Sequence, residues 1–127
     1  MTDGIEALTT AALSLALDAA TLRQQTFASN IANANATNYT PQRVSFEALL
    51  LDARQSLNNN GRLGTESLRD IAPRIEPVLD GRGVPTQVQL DVESAGMARN
   101  TVQYQALVTG LSRHFSILSL AASDGRK

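Results

Sequence analysis

Two heptad-like stripes of apolar residues lie at opposite ends of this chain. Near the start, Ile5, Leu8, Ala12, Leu15, Ala19 and Leu22 recur at alternating steps of three and four. Near the finish, Met97, Thr101, Tyr104, Val108, Leu111, Phe115 and Leu118 do the same. Such spacing is that of helices that pack along their lengths. Between them lies a polar stretch, from about Asn38 to Leu90, that holds most of the turn-forming residues. The pattern predicts a mainly α chain: an N-terminal segment 1–37, a loop-rich middle 38–90 and a C-terminal segment 91–127, forming one structural domain.

The first helix is expected from Thr2 or Asp3, with Asp3 and Glu6 spaced like a capping box. No proline precedes Pro41, so the helix can run to about Ile31, roughly 43 Å at 1.5 Å per residue. It carries a second apolar stripe: Leu13, Leu17, Ala20, Phe27 and Ile31. The first 40 residues hold few charges (Asp3, Glu6, Asp18 and Arg23). A nearly uncharged helix that is apolar on two sides needs cover on both. One partner helix in the same chain covers one side, so neighbouring subunits are the expected cover for the other.

The cluster Asn30, Asn33, Asn35 and Asn38 predicts the helix end, because asparagine tolerates left-handed backbone. Pro41 makes Tyr39 to Phe46 extended chain. A short helix is expected from Phe46 to about Leu57, then a turn at Asn58 to Gly61. Pro73 and Pro77 restrict any strand from Ile71 to Val78 to a short or edge position. Asp80 to Gly83 reads as a turn. The last helix is expected from Asp91 as N-cap to about Ser123, with Gly125 as its stop. Gly110 on it would admit a neighbouring backbone.

Composition narrows the function. There is no Trp, and the aromatics are few (Phe27, Phe46, Phe115, Tyr39 and Tyr104), so any core is aliphatic and suits helix packing. A formal charge of −1 offers no field for nucleic acid. Without Cys there are no disulfides and no thiolate chemistry. No uninterrupted run of about 18 apolar residues is present, so no bilayer-spanning segment is expected. Asp3 and Glu6 stand where a signal peptide is positive.

No catalytic, cofactor-binding or metal constellation is evident. His114 follows Arg113 beside an apolar seam and reads as a solvated or satisfied helix residue. Asp91 and Glu93 read as charges complementing a helix start. Gly81-Arg82-Gly83 lacks the strand–loop–helix setting of a phosphate cradle.

The segment Ser29-Asn30-Ile31-Ala32-Asn33-Ala34-Asn35-Ala36-Thr37-Asn38-Tyr39 resembles the signature of bacterial flagellar rod and hook proteins, A-N-[IL]-A-N-A-[DN]-T-P-G-Y. Val88 to Glu93, Met97 to Asn100, and Tyr104-Gln105 are similar to that family's C-terminal V-D-x-D-x-E, M-A-x-N and Y-Q pattern. The chain departs from it at Ala36-Thr37-Asn38, where Asn38 replaces a turn glycine, and at Thr86 and Gln89, where Asn and Asp are usual.

The resemblance points to Asn30, Ile31, Ala32, Asn33, Tyr39, Asp91, Glu93, Asn100 and Gln105 as motif positions. It implies two terminal helices packed as an intersubunit coiled coil, through Ile5, Leu8, Ala12, Leu15, Ala19, Leu22, Met97, Tyr104, Val108, Leu111, Phe115 and Leu118. It implies no cofactor, no nucleic acid and no membrane insertion. Implied partners are the chain itself, other rod proteins, and the inner-membrane ring adaptor or export gate. Phe27 and Ile31 resemble a short export signal of such substrates; the alternative is that Phe27 simply belongs to the second stripe. The implied setting is the periplasmic rod, reached without a cleaved signal, as a torque-bearing subunit in the wall of the export channel. Alternatives are a neighbouring rod subunit, or a cytosolic helical adaptor or chaperone.

Overall fold

The computed structural model describes residues 2–60 and 65–125. The chain runs α1 (Thr2–Ala32), β1 (Gln42–Ser45), α2 (Phe46–Asn60), α3 (Thr65–Arg69), β2 (Arg74–Pro77) and α4 (Leu90–Asp124). It is mainly helical, with the two long terminal helices packed together and short strands in the middle.

α1 is 31 residues long, rich in alanine and free of proline. Two of its buried or half-buried threonines are satisfied locally: Thr9 and Thr26 donate their hydroxyls to the carbonyls of Ile5 and Leu22. By length and composition alone, Gly4–Ala32 is apolar enough to cross a membrane, although polar residues interrupt its apolar run. In the folded chain its second half is occupied: Ala19, Ala20, Phe27 and Asn30 are buried.

The helix closes where the asparagines begin. Asn33 donates its side-chain amide to the Ser29 carbonyl at 2.8 Å, and Ala36 N–H bonds the Asn33 carbonyl at 2.9 Å. Asn38 sits at φ 64°, so it does supply the left-handed turn in place of glycine. The chain then turns back as β1. β1 pairs antiparallel with β2 in the register Gln42↔Pro77 to Ser45↔Arg74. β2 is exposed along its length, which is where its terminal proline is tolerated. Beyond it, Asp80 holds a tight turn by accepting from the backbone N–H groups of Arg82 and Val84, and Gly83 has φ 79°.

The middle segment covers one side of α1. Ala19 packs with Leu49 of α2 and Ile71, and Leu15, Ala53 and Leu68 close around them. This corrects the expectation that only other subunits could cover the second side of α1. α2 runs to Asn60, through the expected Asn-rich turn, and α3 was not foreseen. Together they supply the missing layer. Gly61, the last residue of that expected turn, lies outside the described residues.

α4 covers the other side. The end of α1 meets the start of α4 (Asn30 with Glu93), and earlier α1 meets later α4 (Ala20 with Asn100), so the two helices are antiparallel. α4 starts one residue before Asp91, with Gln89 as N-cap and no side-chain cap bond; Asp91 is an exposed residue of the first turn. Gly125 closes the helix in right-handed backbone (φ −72°), so it ends the helix without using a glycine's special freedom.

Candidate functional site: a buried polar clamp between three segments

Four residues carry the join between α1, the β1 strand and α4: Asn30, Tyr39, Arg43 and Glu93. Asn30 is completely buried, and its side chain makes four hydrogen bonds. Its amide nitrogen donates to the Gln42 carbonyl and to Glu93 Oε2, both at 2.9 Å. Its oxygen accepts from the Tyr39 hydroxyl at 2.9 Å and the Gln42 N–H at 3.0 Å. An amide has two donors and two acceptor lone pairs, so Asn30 is saturated.

Glu93 is 1% exposed. Its carboxylate is gripped bidentately by Arg43, Nη1 to Oε2 at 2.9 Å and Nη2 to Oε1, with the Asn30 amide as a third donor. A buried carboxylate is tolerated when it is paired and hydrogen-bonded in this way. The Arg43 guanidinium also lies 5.2 Å from the ring centroid of Phe27, within cation–π range. Phe27 in turn occupies the space over Gly96: a Cβ there would come within 2.5 Å of the ring. Gly96 is therefore glycine because an aromatic ring lies where its side chain would be.

One heptad along α4, Asn100 is 2% exposed. Its amide donates to the Ala20 carbonyl and to Gln24 Oε1, each at 2.8 Å, and Arg23 reaches its oxygen at 3.4 Å. Leu107 faces Ala16 and Ala20 across a shallow groove. His114 is half-buried, and its Nε2 is buried with no hydrogen-bond partner. It is not the satisfied residue that its sequence setting suggested.

Glu93, Asn100, Leu107 and His114 are seven apart and form the face of α4 turned to α1. Met97, Leu111 and Leu118 flank that face and are half-buried, while Tyr104 is 41% exposed. The other expected seam positions, Thr101, Val108 and Phe115, are exposed, the last two at 43% and 50%. The seam inside the chain is thus rotated towards polar residues that an apolar count passes over. On α1, Leu15 and Ala19 serve the middle segment, joined by Ala12 in lining the groove there. Leu8 and Leu22 are half-buried and Ile5 is 68% exposed.

Of the motif positions, Asn30, Tyr39 and Glu93 meet in the clamp, and Asn100 makes a separate join two turns along α4. Asn33 serves the end of α1, and Ile31 is half-buried. Ala32, Asp91 and Gln105 are exposed. Glu93 stands in the first turn of α4, as expected, and is in addition the buried anion of the clamp. Thr86 keeps a local contact, its hydroxyl bonding the Val78 carbonyl at 3.1 Å. Sequence reading missed Arg43 and Gly96, whose only signals were a basic residue just after the Tyr39 motif and a glycine three residues after a glutamate. Gly110 has open space around it within the chain.

No family profile matches the chain. Its sequence is 29% identical over 118 residues to the flagellar basal body rod protein FlgB of Bacillus subtilis (strain 168), an alignment that spans 87% of this chain and 90% of the relative. The chain is similar to this FlgB over most of its length. The likeness runs nearly end to end, so it takes in all three segments that build the clamp. Within the clamp, the Asn30 amide and the Glu93 carboxylate are both bound to other parts of the fold.

Proposed function

We propose that this chain is a structural subunit of the flagellar basal-body rod, which assembles by packing its terminal helices against copies of itself and against other rod proteins. The observation that carries this reading is the end-to-end similarity to a FlgB. The fold supports it: the clamp fixes the near half of the α1–α4 pair, and the far half presents Ile5, Phe115, Ile117 and Leu120, each at least 50% exposed. Exposed apolar positions along a helix pair are surfaces for further helices. Heterologous contacts of that kind build open helical arrays.

On this reading the clamp stiffens each subunit, and the packed array carries torque and forms part of the export-channel wall. The chain leaves the cytosol without a cleaved leader and assembles in the periplasm, at the rod base, against the ring adaptor or export gate. Phe27 is only 8% exposed, wedged between Gly96 and Arg43. Any reading of Phe27 and Ile31 by an export gate therefore takes place on an unfolded segment. The test is mass spectrometry of detergent-purified hook–basal bodies. Recovery of the chain there at a level comparable to other rod proteins supports the proposal. Recovery only in the cytosolic fraction overturns it in favour of a helical adaptor.

A further inference from the structure

We infer that Glu93 is a conditional latch: α4 seats on α1 only after the segment 39–43 has folded back and built the socket for this carboxylate. The device is a property of the isolated chain and does not depend on the rod reading.

The socket is complete without α4. Asn30 is held by Tyr39 and by both backbone groups of Gln42, none of which belongs to α4. Those bonds fix the amide so that its oxygen is occupied and its nitrogen keeps one hydrogen free. Arg43 follows on β1, beside the Phe27 ring, and bonds the Gln42 carbonyl at 3.0 Å. A cation and a directed N–H donor then face the place that α4 will occupy. Glu93 brings the matching carboxylate, and Gly96, one turn further on, clears the Phe27 ring. In the absence of the socket, seating α4 would bury a carboxylate with no partner, which strongly disfavours the closed state.

The pair is asymmetric. The Arg43 side chain is 35% exposed, and that of Glu93 is 2% exposed. When the pair breaks, Arg43 can turn to water where it stands. Glu93 reaches water only if the first turns of α4 lift from α1. Loss of the ion pair is therefore felt in α4 more than in the strand that carries Arg43. Order in the middle of the chain is transmitted to one terminal helix through a single charge.

The experiment is amide hydrogen exchange on the full-length chain, resolved by peptide, for the parent, Arg43→Met, Glu93→Met and the double variant. Arg43→Met is expected to speed exchange about tenfold or more across residues 93–103, because the unpaired carboxylate favours the lifted state. Glu93→Met, which removes the charge, is expected to have a smaller effect. The double variant is expected to regain protection relative to Arg43→Met, since methionine at 93 no longer needs a partner. A role confined to the hairpin would move exchange only in residues 42–45 and 74–77. The latch is overturned if Arg43→Met leaves 93–103 protected, or if the double variant shows no recovery over Arg43→Met. If Arg43→Met does not fold, recovery of helical circular dichroism in the double variant decides in favour of the latch. A double variant that also stays unfolded decides against it.

Discussion

The near and far halves of the α1–α4 pair are built from the same kinds of helix but held by different means. In the near half, from Ala20 to Asn30 on α1, buried polar side chains from α4 find dedicated partners: Glu93 with Arg43 and Asn30, Asn100 with the Ala20 carbonyl. In the far half Phe115 and Ile117 are at least half exposed, and the buried His114 Nε2 lacks a hydrogen-bond partner. The near half is specified by bonds that accept one arrangement. The far half is specified only by an apolar pattern, which several arrangements satisfy. A chain that must be rigid alone yet adaptable to neighbours can use both kinds of helix pairing, one after the other.

The comparison can be broken most severely at Asn30. Asn30→Leu removes a donor to the buried Glu93 and strands the Gln42 N–H, so a loss of about 3 kcal/mol or more is expected in urea unfolding of the purified chain. Gly96→Val comes next. Its Cβ collides with Phe27, and overpacking of this kind is expected to cost about 2 kcal/mol, with α4 displaced from the ring. Asn100→Leu should be milder, about 1 kcal/mol, because the half-buried Gln24 side chain that loses its partner can turn to water and the Ala20 carbonyl lies inside α1, where the helix itself supplies an N–H. Phe115→Ser in the far half should change the stability of the isolated chain by less than about 0.5 kcal/mol. On the rod reading the same change should impair swimming in a complementation assay. A large stability loss from Phe115→Ser would erase the distinction between the halves. Leu111→Asp sharpens the same point: assembly should fail, and normal swimming would contradict the proposed use of that face in packing between subunits.

Much of this was legible in advance. The lengths of α1 and α4 follow from proline-free, alanine-rich sequence, and the shortness and exposure of β2 follow from Pro73 and Pro77. The asparagine cluster announced both the end of α1 and the positive φ of Asn38. The cover on α1 was not legible. It depends on Leu49, Leu68 and Ile71, which come from two short helices and a loop and meet only through tertiary folding. The face of α4 turned to α1 within the chain was not legible either, because the apolar stripe predicts packing between subunits. A search for apolar periodicity treats Glu93, Asn100 and His114 as gaps, although they share one seven-residue repeat with Leu107. Polar residues at such a spacing on an otherwise apolar helix are themselves a signal, because each needs a partner when buried.

Asn30 shows what saturation means for a sequence under mutation. Aspartate offers no donor and would place a second anion against Glu93. Glutamine carries the right groups one methylene too far. Serine and threonine are too short to reach Gln42 and Glu93 together, and an apolar side chain answers none of the four demands. With all four of its bonds made to different groups, no single change in a neighbour compensates for its loss, so in a saturation library the position should return asparagine almost alone.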